Sequence, residues 1–361
     1  MSSKKQYSVI DLFCGCGGFS LGFKQAGYDV KLGVDIWDDA IVTYGHNITN
    51  AKTINDDIST IDAKRIFNTI GKSNIDVIIG GPPCQGFSVS GKRMLDDPRN
   101  MLYKSYVRLV GEIKPKIFVM ENVPGLVKLF DGKVKDNIIS DFSALNYNVN
   151  YCILSAADYG VPQYRKRVFF VGLSKEIFGN TFFVFPTPTI GGKLITCKDA
   201  ISDLDFISDN EYSKEKMEYK LEPSNDYQIK MRNNGNVLLN HSITKHTEKT
   251  KEIISMVPDG GNYKDLPREL QTTRKVHIAW TRMNSARPCF TIDTGHNHHF
   301  HYSANRVPTV RESARIQSFP DNFEFIGIKT SQLKQVGNAV PPILSEELAK
   351  KIEMTLRCNN V

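Results

Sequence analysis

Residues 7–26 read YSVIDLFCGCGGFSLGFKQA, an apolar run followed by a glycine-rich turn and a helical pattern. Glycines at the step from a strand into a helix let a ligand approach the backbone closely, next to the free N–H groups of the helix start. The turn does not match the G-x-G-x-x-G pattern of dinucleotide-binding folds, because Ser20 stands at the third glycine position. The segment therefore predicts a ligand site at the end of the first strand, with a nicotinamide-dependent oxidoreductase as a weaker alternative.

Similar segments continue through the first half of the chain, where apolar, β-rich runs alternate with helical patterns. The predicted strands cover residues 7–13, 30–35, 76–80, 117–121, 149–155 and 168–173, and clear helical patterns cover 19–26 and 102–113. Alternation of this kind predicts an α/β fold with a doubly wound, mostly parallel sheet. In such a sheet, ligands bind at the carboxyl ends of the strands.

The alternation stops after Ser174, and the chain up to residue 305 is polar with few clear periods. We predict that residues 175–305 form a second, smaller domain. A helical pattern returns from Thr309 and continues past the loop at 335–342 into a last helix. We therefore expect residues 1–174 and 306–361 to form one domain around the sheet.

The composition limits the class of protein. With 361 residues, 40% of them hydrophobic, the chain can bury one large core or two moderate ones. The net charge of +7 mildly favours a polyanionic partner. The seven cysteines include no C-x-x-C pair, which argues against a disulfide framework or a zinc ribbon. No apolar stretch approaches the roughly 18 residues of a membrane span, and the short polar start leaves no room for a signal peptide. We therefore expect a cytoplasmic protein without membrane contacts.

Acidic residues follow further predicted strands. Asp35 lies about 20 residues after the glycine-rich turn, where a carboxylate can accept hydrogen bonds from both ribose hydroxyls. At the third such position, Asp57 and Ile58 offer a carboxylate and an aliphatic side chain that could hold an adenine. A single carboxylate of this kind is more often a loop residue or a helix cap. Their ordered recurrence at strand ends nevertheless favours a cofactor site.

A cysteine follows two prolines at the end of another predicted strand, in the sequence GGPPCQG of residues 80–86. Prolines hold the backbone stiff immediately before Cys84. An attacking thiol gains from nearby cations, and Lys92, Arg93 and Arg99 follow in a loop that suits either a lid over a phosphate backbone or an ordinary solvated surface. We interpret Cys84 as a nucleophile.

Glu121 ends the next predicted strand, in the sequence Glu121-Asn122-Val123-Pro124. An isolated glutamate there more often caps a helix. At the sheet edge beside the strand that carries Cys84, it can instead act as an acid or as a hydrogen-bond partner to a substrate ring.

Six ordered blocks resemble the motifs of the DNA (cytosine-5) methyltransferase family, of the bacterial restriction-modification type. They are residues 11–23, 81–90, 118–123, 163–167, 306–319 and 335–342. The resemblance covers residues 8–174 and 306–356, and the middle of the chain carries no comparable motif. It implies the fold of S-adenosylmethionine-dependent methyltransferases, with residues 175–305 as a target-recognition domain.

The functional positions of the family can be placed on this sequence. The implied catalytic residues are Cys84, Glu121, Arg165 and Arg167. The implied contacts with S-adenosylmethionine are made by Phe13, Cys16, Gly18, Asp35, Ile36, Asp57, Ile58, Leu102, Asn338 and Val340. Many members have a large aromatic residue against the adenine where this chain has Ile36, followed by Trp37. The sequence leaves open which of the two covers the adenine.

The resemblance also implies a reaction. The Cys84 thiolate adds to carbon 6 of cytosine, which makes carbon 5 nucleophilic enough to accept a methyl group. Glu121 protonates or hydrogen-bonds N3, and the two arginines clamp the exocyclic oxygen and the neighbouring phosphate. Since a stacked base cannot be reached, the cytosine must be flipped out of the duplex.

The expected partner is double-stranded DNA, bound by a monomer, with a restriction endonuclease acting on the same site as a further candidate. Residues 268–287 contain five basic residues and one acidic residue, with Trp280 among them, a composition suited to phosphate and base contacts. The DNA-binding residues that we predict are Ser88, Ser90, Lys92, Arg93, Arg99, Arg274 and Arg282. Residues 296–301 hold four of the eight histidines, but no ligand stands at a structural zinc spacing, and we predict no metal site.

Two alternatives share much of this sequence pattern. The tripeptide Cys289-Phe290-Thr291 resembles one in the tRNA-methylating branch of the family, so a tRNA cytosine-5 methyltransferase is the second interpretation. The long segment before Arg306 favours duplex DNA, because it is ample for groove recognition. A catalytically inactive DNA-binding relative is less favoured, since Cys84, Glu121 and Arg167 are all present.

Overall fold

The computed structural model describes residues 6–71, 74–83, 101–207, 216–271, 280–292 and 299–358. The chain divides into two compact units. The first comprises Met1–Ser155, Lys166–Pro188 and Pro342–Val361, and the second comprises Ala156–Arg165 and Thr189–Pro341. By packing, residues 306–341 therefore belong with the second unit, whereas the sequence grouped them with the first domain. The two units are defined by compactness alone. The functions that the sequence predicts for the two domains therefore remain predictions.

A seven-stranded sheet forms the centre of the first unit. Its strands are β1 (Ser8–Leu12), β2 (Asp29–Asp35), β3 (Lys52–Asn55), β4 (Val77–Gly80), β5 (Ile117–Asn122), β6 (Tyr147–Ser155) and β7 (Lys166–Ser174). Their order across the sheet is β3-β2-β1-β4-β5-β7-β6. Neighbours from β3 to β5 pair in parallel, whereas β7 pairs antiparallel with both β5 and β6. The prediction of a doubly wound, mostly parallel sheet is confirmed, with β7 as the reversed strand.

Helices cover both faces of this sheet. They are α1 (Gly18–Gln25), α2 (Asp38–Asn47), α3 (Ala63–Ile70), α4 (Met101–Ile113), α5 (Lys133–Ala144), α6 (Lys175–Phe178) and the C-terminal helix α13 (Pro342–Cys358). Side chains alternate between the faces of a strand. Ile10, Leu12 and Phe118 accordingly join one buried cluster with residues of α3, α4 and α5. On α1, the ring of Phe19 packs against Phe169 of β7, with ring centroids 6.1 Å apart.

The C-terminal helix is an integral part of the first unit, because it packs directly on α1. The Ser345 hydroxyl donates to the Phe19 carbonyl at 2.6 Å, and the Tyr28 hydroxyl donates to the Ala349 carbonyl at 3.1 Å. A Cβ atom added to Gly22 would lie 2.4 Å from the Ser345 Cβ and 2.5 Å from the Glu346 nitrogen. Glycine is therefore required at this point for the two helices to approach.

The second unit contains shorter elements. They are α7 (Cys197–Ile201), β8 (Lys216–Glu218), α8 (Asp226–Arg232), β9 (Val237–Leu239), α9 (Glu248–Ser255), α10 (Arg268–Gln271), β10 (Thr281–Arg282), β11 (His299–Phe300), α11 (Val310–Ile316) and α12 (Lys329–Asn338). Buried charges organise it around α11: the Arg315 guanidinium lies 2.5 Å from Asp203 and 2.6 Å from Asp321. Among the described residues, none of the helices combines the length and apolar character that a membrane span requires.

Candidate active site

The strands of the first unit end at one level. Leu12 at the end of β1 pairs with Val34 of β2 and with Gly80 of β4, and Gly80 in turn pairs with Met120 of β5. The residue that follows each of these positions therefore lies at the same edge of the sheet. This edge gathers the glycine-rich turn, Asp35, the start of the Pro-Pro-Cys segment and Glu121.

The glycine-rich turn between β1 and α1 has a left-handed backbone at Phe13, Gly15 and Gly17, with φ values of 66°, 51° and 100°. The Gly15 N–H donates to an oxygen of Asp35 at 2.7 Å, which fixes the turn against the end of β2. Burial raises the pKa of the Cys16 thiol to about 12. This thiol is therefore uncharged at neutral pH and unsuited to nucleophilic attack.

Asp11 lies buried beneath the turn. One of its carboxyl oxygens accepts a hydrogen bond from the Ser20 hydroxyl at 2.7 Å, and Ser20 also lies 2.9 Å from the Tyr44 hydroxyl. The other carboxyl oxygen, Oδ1, is buried and has no hydrogen-bond partner in the protein. Burial raises the pKa of Asp11 to about 8. A carboxyl group with this pKa is largely protonated at neutral pH, so its free oxygen can donate or accept a hydrogen bond.

Asp35 and Ile36 occupy the end of β2. The two carboxylate oxygens of Asp35 accept the N–H groups of Gly15 at 2.7 Å and Trp37 at 2.9 Å, and each oxygen keeps a second lone pair. Ile36 is 66% exposed, which is unusual for an aliphatic side chain beside a buried strand, whereas Trp37 is half-buried. Of the two, Ile36 has the more exposed side chain.

Asp57 and Ile58 follow β3 at the same edge. The Asp57 carboxylate caps a short turn by accepting the Ser59 N–H at 2.8 Å, and Ile58 is buried. Phe13 and Leu102 pack partly buried against the core on this side of the sheet. The sequence missed β3 itself, because three of its four residues are exposed and the strand has no apolar run.

An ion pair joins two of the predicted catalytic residues. The Arg167 Nε lies 2.8 Å from a Glu121 carboxylate oxygen, and both side chains are only about one-seventh exposed, at 15% and 14%. Arg167 reaches this edge because β7 is antiparallel: its amino end lies beside the carboxyl end of β5, where Glu121 pairs with Phe169. The antiparallel strand β7 thus places a cationic side chain at the edge where the parallel strands place carboxylates.

Asn122 connects Glu121 to the segment that leads into Cys84. Its side-chain amide donates to the Pro82 carbonyl at 2.9 Å, while its oxygen accepts the Val123 N–H. A Cβ atom on Gly81 would lie 3.0 Å from the second carboxylate oxygen of Glu121, so residue 81 passes directly beside this carboxylate. Cys84 itself lies outside the described residues, as do Ser88, Ser90, Lys92, Arg93, Arg99 and Arg274.

The other predicted site residues belong to the second unit. Arg165 is 1% exposed and donates from its guanidinium to the Gly337 carbonyl at 2.8 Å. The predicted cofactor contacts Asn338 and Val340 flank the end of α12, with Asn338 exposed and Val340 buried. Sequence reasoning did not identify Gln317, which contacts both this region and Gln163.

The geometry of Arg282 contradicts its predicted contact with DNA. Arg282 is 4% exposed, and all five of its N–H groups are donated within the second unit, to Val257, His301, Ala304, Ile254 and Asn305. No donor of this side chain is left for a phosphate or a base. Trp280 is likewise 9% exposed and packs in a core cluster with Phe300. Both residues therefore stabilise the unit from inside.

Three potential metal ligands meet in the second unit, where oxygen or nitrogen atoms of Asp205, His301 and Glu312 all lie within 4.8 Å of one another. Arg306 already occupies both Glu312 oxygens, at 2.6 and 2.7 Å. The His301 Nδ1 accepts the backbone N–H groups of Ser303 and Ala304, so the ring proton resides on Nε2, 3.1 Å from Asp205. Glu312 and the Nδ1 of His301 are thus engaged within the protein, and the absence of a metal site stays a prediction.

Comparisons with known proteins identify the family of this chain. A family model described as C-5 cytosine-specific DNA methylase matches residues 7–354. The Type II methyltransferase M.DdeI of Desulfomicrobium norvegicum is 40% identical over 370 residues, covering 96% of this chain and 88% of that protein. M1.HphI of Haemophilus parahaemolyticus, also a Type II methyltransferase, is 38% identical over 348 residues, covering 96% and 86%.

A solved structure agrees with these relatives. A prophage-encoded protein from E. coli, assigned as a DNA modification methyltransferase, matches with a TM-score of 0.80 and 31% identity, covering 98% of this chain and 100% of that one. The chain belongs to the C-5 cytosine-specific DNA methylase family. It is a DNA (cytosine-5) methyltransferase, as the six sequence blocks had indicated.

Proposed function

We propose that this methyltransferase takes its methyl group from S-adenosylmethionine and delivers it to a cytosine flipped out of a specific double-stranded DNA sequence, through a covalent Cys84 adduct. The observation that carries the proposal is the ion pair of Glu121 and Arg167, beside residues 81–83, which lead into Cys84. We further propose that it acts as a monomer and as the modification enzyme of a restriction-modification system. Its similarity to Type II methyltransferases supports that role.

The residues at the sheet edge fit S-adenosylmethionine. The lone pairs left on Asp35 suit ribose hydroxyls, and the exposed Ile36 suits one face of the adenine. The buried Asp11 oxygen without a partner in the protein suits a hydrogen bond from or to the polar end of the cofactor. Since the bound cofactor supplies an electrophilic methyl group, the remaining chemistry falls to the protein.

The base chemistry follows from the residues around Glu121. The Cys84 thiolate forms a bond to carbon 6, and the electrons of the 5,6 double bond become available at carbon 5. Glu121 donates a proton or a hydrogen bond to N3 as negative charge reaches that atom, while Arg167 turns from Glu121 towards the exocyclic oxygen. After methylation the carbon 5 proton passes to water, its bonding electrons re-form the 5,6 double bond, Cys84 leaves as the thiolate, and N3 returns its proton to Glu121. Before a base enters, the ion pair keeps both side chains at the edge.

A methylation assay with labelled S-adenosylmethionine tests this function. We expect label to enter duplex DNA at carbon 5 of cytosine in one sequence context, and not to enter transfer RNA. Labelled transfer RNA with unlabelled DNA would establish the tRNA alternative instead. Binding of DNA without methylation of either substrate would identify an inactive relative.

Replacing Glu121 with glutamine tests the proposed role of the ion pair. We expect kcat to fall by roughly 10²- to 10⁴-fold, because the amide keeps the shape of the side chain but cannot transfer a proton to N3. Single-turnover methylation of duplex DNA measures the effect.

Glu353→Gln is the matched control, since Glu353 forms a similar ion pair with Arg357 on α13, at 2.6 Å. It should keep near wild-type turnover. If kcat fell by the same small factor in both variants, Glu121 would have no role in the chemical step.

A further inference from the structure

Two glutamine side chains form a hydrogen-bonded chain within the second unit. The Ile292 N–H donates to the Oε1 of Gln163 at 3.1 Å, and the Nε2 of Gln163 donates to the Oε1 of Gln317. The Nε2 of Gln317 then donates to the Ala339 carbonyl at 2.5 Å. Both glutamines are fully buried, so water does not compete for these groups.

The direction of this chain is fixed at both ends. A backbone N–H at Ile292 can only donate, and a backbone carbonyl at Ala339 can only accept. Each glutamine must therefore turn its oxygen towards Ile292 and its nitrogen towards Ala339. If either amide were reversed, two acceptors or two donors would face each other in a buried site, which is unfavourable.

The chain ends beside a predicted cofactor contact. Gln317 holds the carbonyl of Ala339, and Arg165 holds the carbonyl of Gly337 at 2.8 Å. These two residues flank Asn338, whose side chain is exposed. Since the last carbonyl groups of a helix have no partner within it, the contact from Arg165 to Gly337 also satisfies the end of α12. The backbone on either side of Asn338 is thus fixed by segment 163–165, once directly and once through Gln317.

We propose that Gln317, acting with Gln163, is a positioning residue for S-adenosylmethionine: it fixes the backbone that presents Asn338 to the cofactor. The proposal rests on the proposed function, which makes Asn338 a cofactor contact. Gln317 does not touch the reacting atoms in this scheme. Its loss should weaken the cofactor complex and leave the chemical step of the saturated enzyme unchanged.

The experiment compares Gln317→Glu, which keeps the shape but has no N–H for Ala339, with Gln317→Met, which keeps the volume without polar atoms. Isothermal titration of each purified protein with S-adenosylmethionine gives the dissociation constant. We expect it to rise roughly three- to tenfold, the loss of one or two hydrogen bonds. At saturating cofactor, kcat should stay within about twofold of the wild type. The only kinetic constant that should change is KM for the cofactor, which should rise.

Gln332→Glu is the matched control. Gln332 lies on α12 in the same unit, and its amide donates to the carbonyls of Phe325 at 3.1 Å and Gly327 at 2.9 Å. The control loses comparable hydrogen bonds without touching residues 337–339. Its thermal stability is expected to fall while its cofactor affinity does not.

A double-mutant cycle of Gln163→Ala and Gln317→Ala tests the connection between the two residues. The double variant should bind the cofactor no more weakly than the worse single variant, because either change already breaks the chain. Additive losses would separate the residues and overturn the proposal, as would wild-type affinity in both Gln317→Glu and Gln317→Met. If the wild-type protein did not bind S-adenosylmethionine, the proposed function itself would fail.

Discussion

Cys84→Ala is expected to abolish methyl transfer to duplex DNA, by at least about a thousandfold, the size of loss seen when a covalent nucleophile is removed. Without the adduct at carbon 6, carbon 5 of cytosine is too weak a nucleophile to accept a methyl group. Affinity for S-adenosylmethionine should stay close to that of the wild type, because Asp35, Ile36 and the glycine-rich turn do not involve this thiol. Methylation and cofactor titration, measured on the same preparation, separate the two effects.

Duplex DNA that carries 5-fluorocytosine extends this test. Fluorine cannot leave carbon 5 as a proton does, so the wild-type enzyme should remain covalently attached and migrate as a larger species in denaturing electrophoresis. Cys84→Ala should show no attachment, whereas Cys358→Ala, which changes an exposed cysteine of α13, should be trapped like the wild type. Normal turnover by Cys84→Ala would exclude the covalent mechanism.

Removal of the last helix is expected to unfold the first unit. A chain that ends at Pro341 loses five large aliphatic side chains of α13, each at most 7% exposed: Ile343, Leu344, Leu348, Ile352 and Leu356. Each contributes roughly 1.5–3 kcal/mol by burial, so their sum rivals the total stability of about 5–15 kcal/mol of a typical domain. Circular dichroism during thermal unfolding and titration with S-adenosylmethionine should both show loss of the folded first unit.

A chain that ends at Cys358 keeps all of α13 and serves as the control. Gly22→Ala provides a graded version, because the added methyl group would meet Ser345 and the backbone of Glu346 at 2.4–2.5 Å. We expect this variant to remain folded but to be less stable by about 1–3 kcal/mol. Full cofactor affinity in the chain ending at Pro341 would show that α13 is dispensable.

Strands with a continuous apolar run could be predicted from the sequence, since β1, β2, β4, β5, β6 and β7 all lie where such runs occur. β3 could not, because a short edge strand with mostly exposed residues has no such run. The reversal of β7 was also beyond the sequence. A buried apolar strand looks the same in either direction, and only its partners reveal which way it runs.

The residues of the candidate site could also be predicted only in part. Glu121 and Asp35 could be placed because each lies at the carboxyl end of a strand, and the sheet brings strand ends together. The sequence interpretation of Arg282 failed, because a basic residue in a basic segment looks the same whether its donors face DNA or the protein interior. Gln317 carried no signal of its own: its role depends on Gln163, 154 positions away in the chain.

The reversed strand β7 has a consequence for how this enzyme can change over evolution. In a sheet, a shift of one residue in the pairing turns every side chain to the opposite face. One residue inserted or deleted between Arg167 and Phe169 would therefore turn Arg167 away from Glu121, although nearly every amino acid would be retained. Conservative substitutions elsewhere in the strand leave the ion pair in place. Lineages that keep methylating DNA should thus tolerate exchanges between similar apolar residues in β7 more readily than changes of its length.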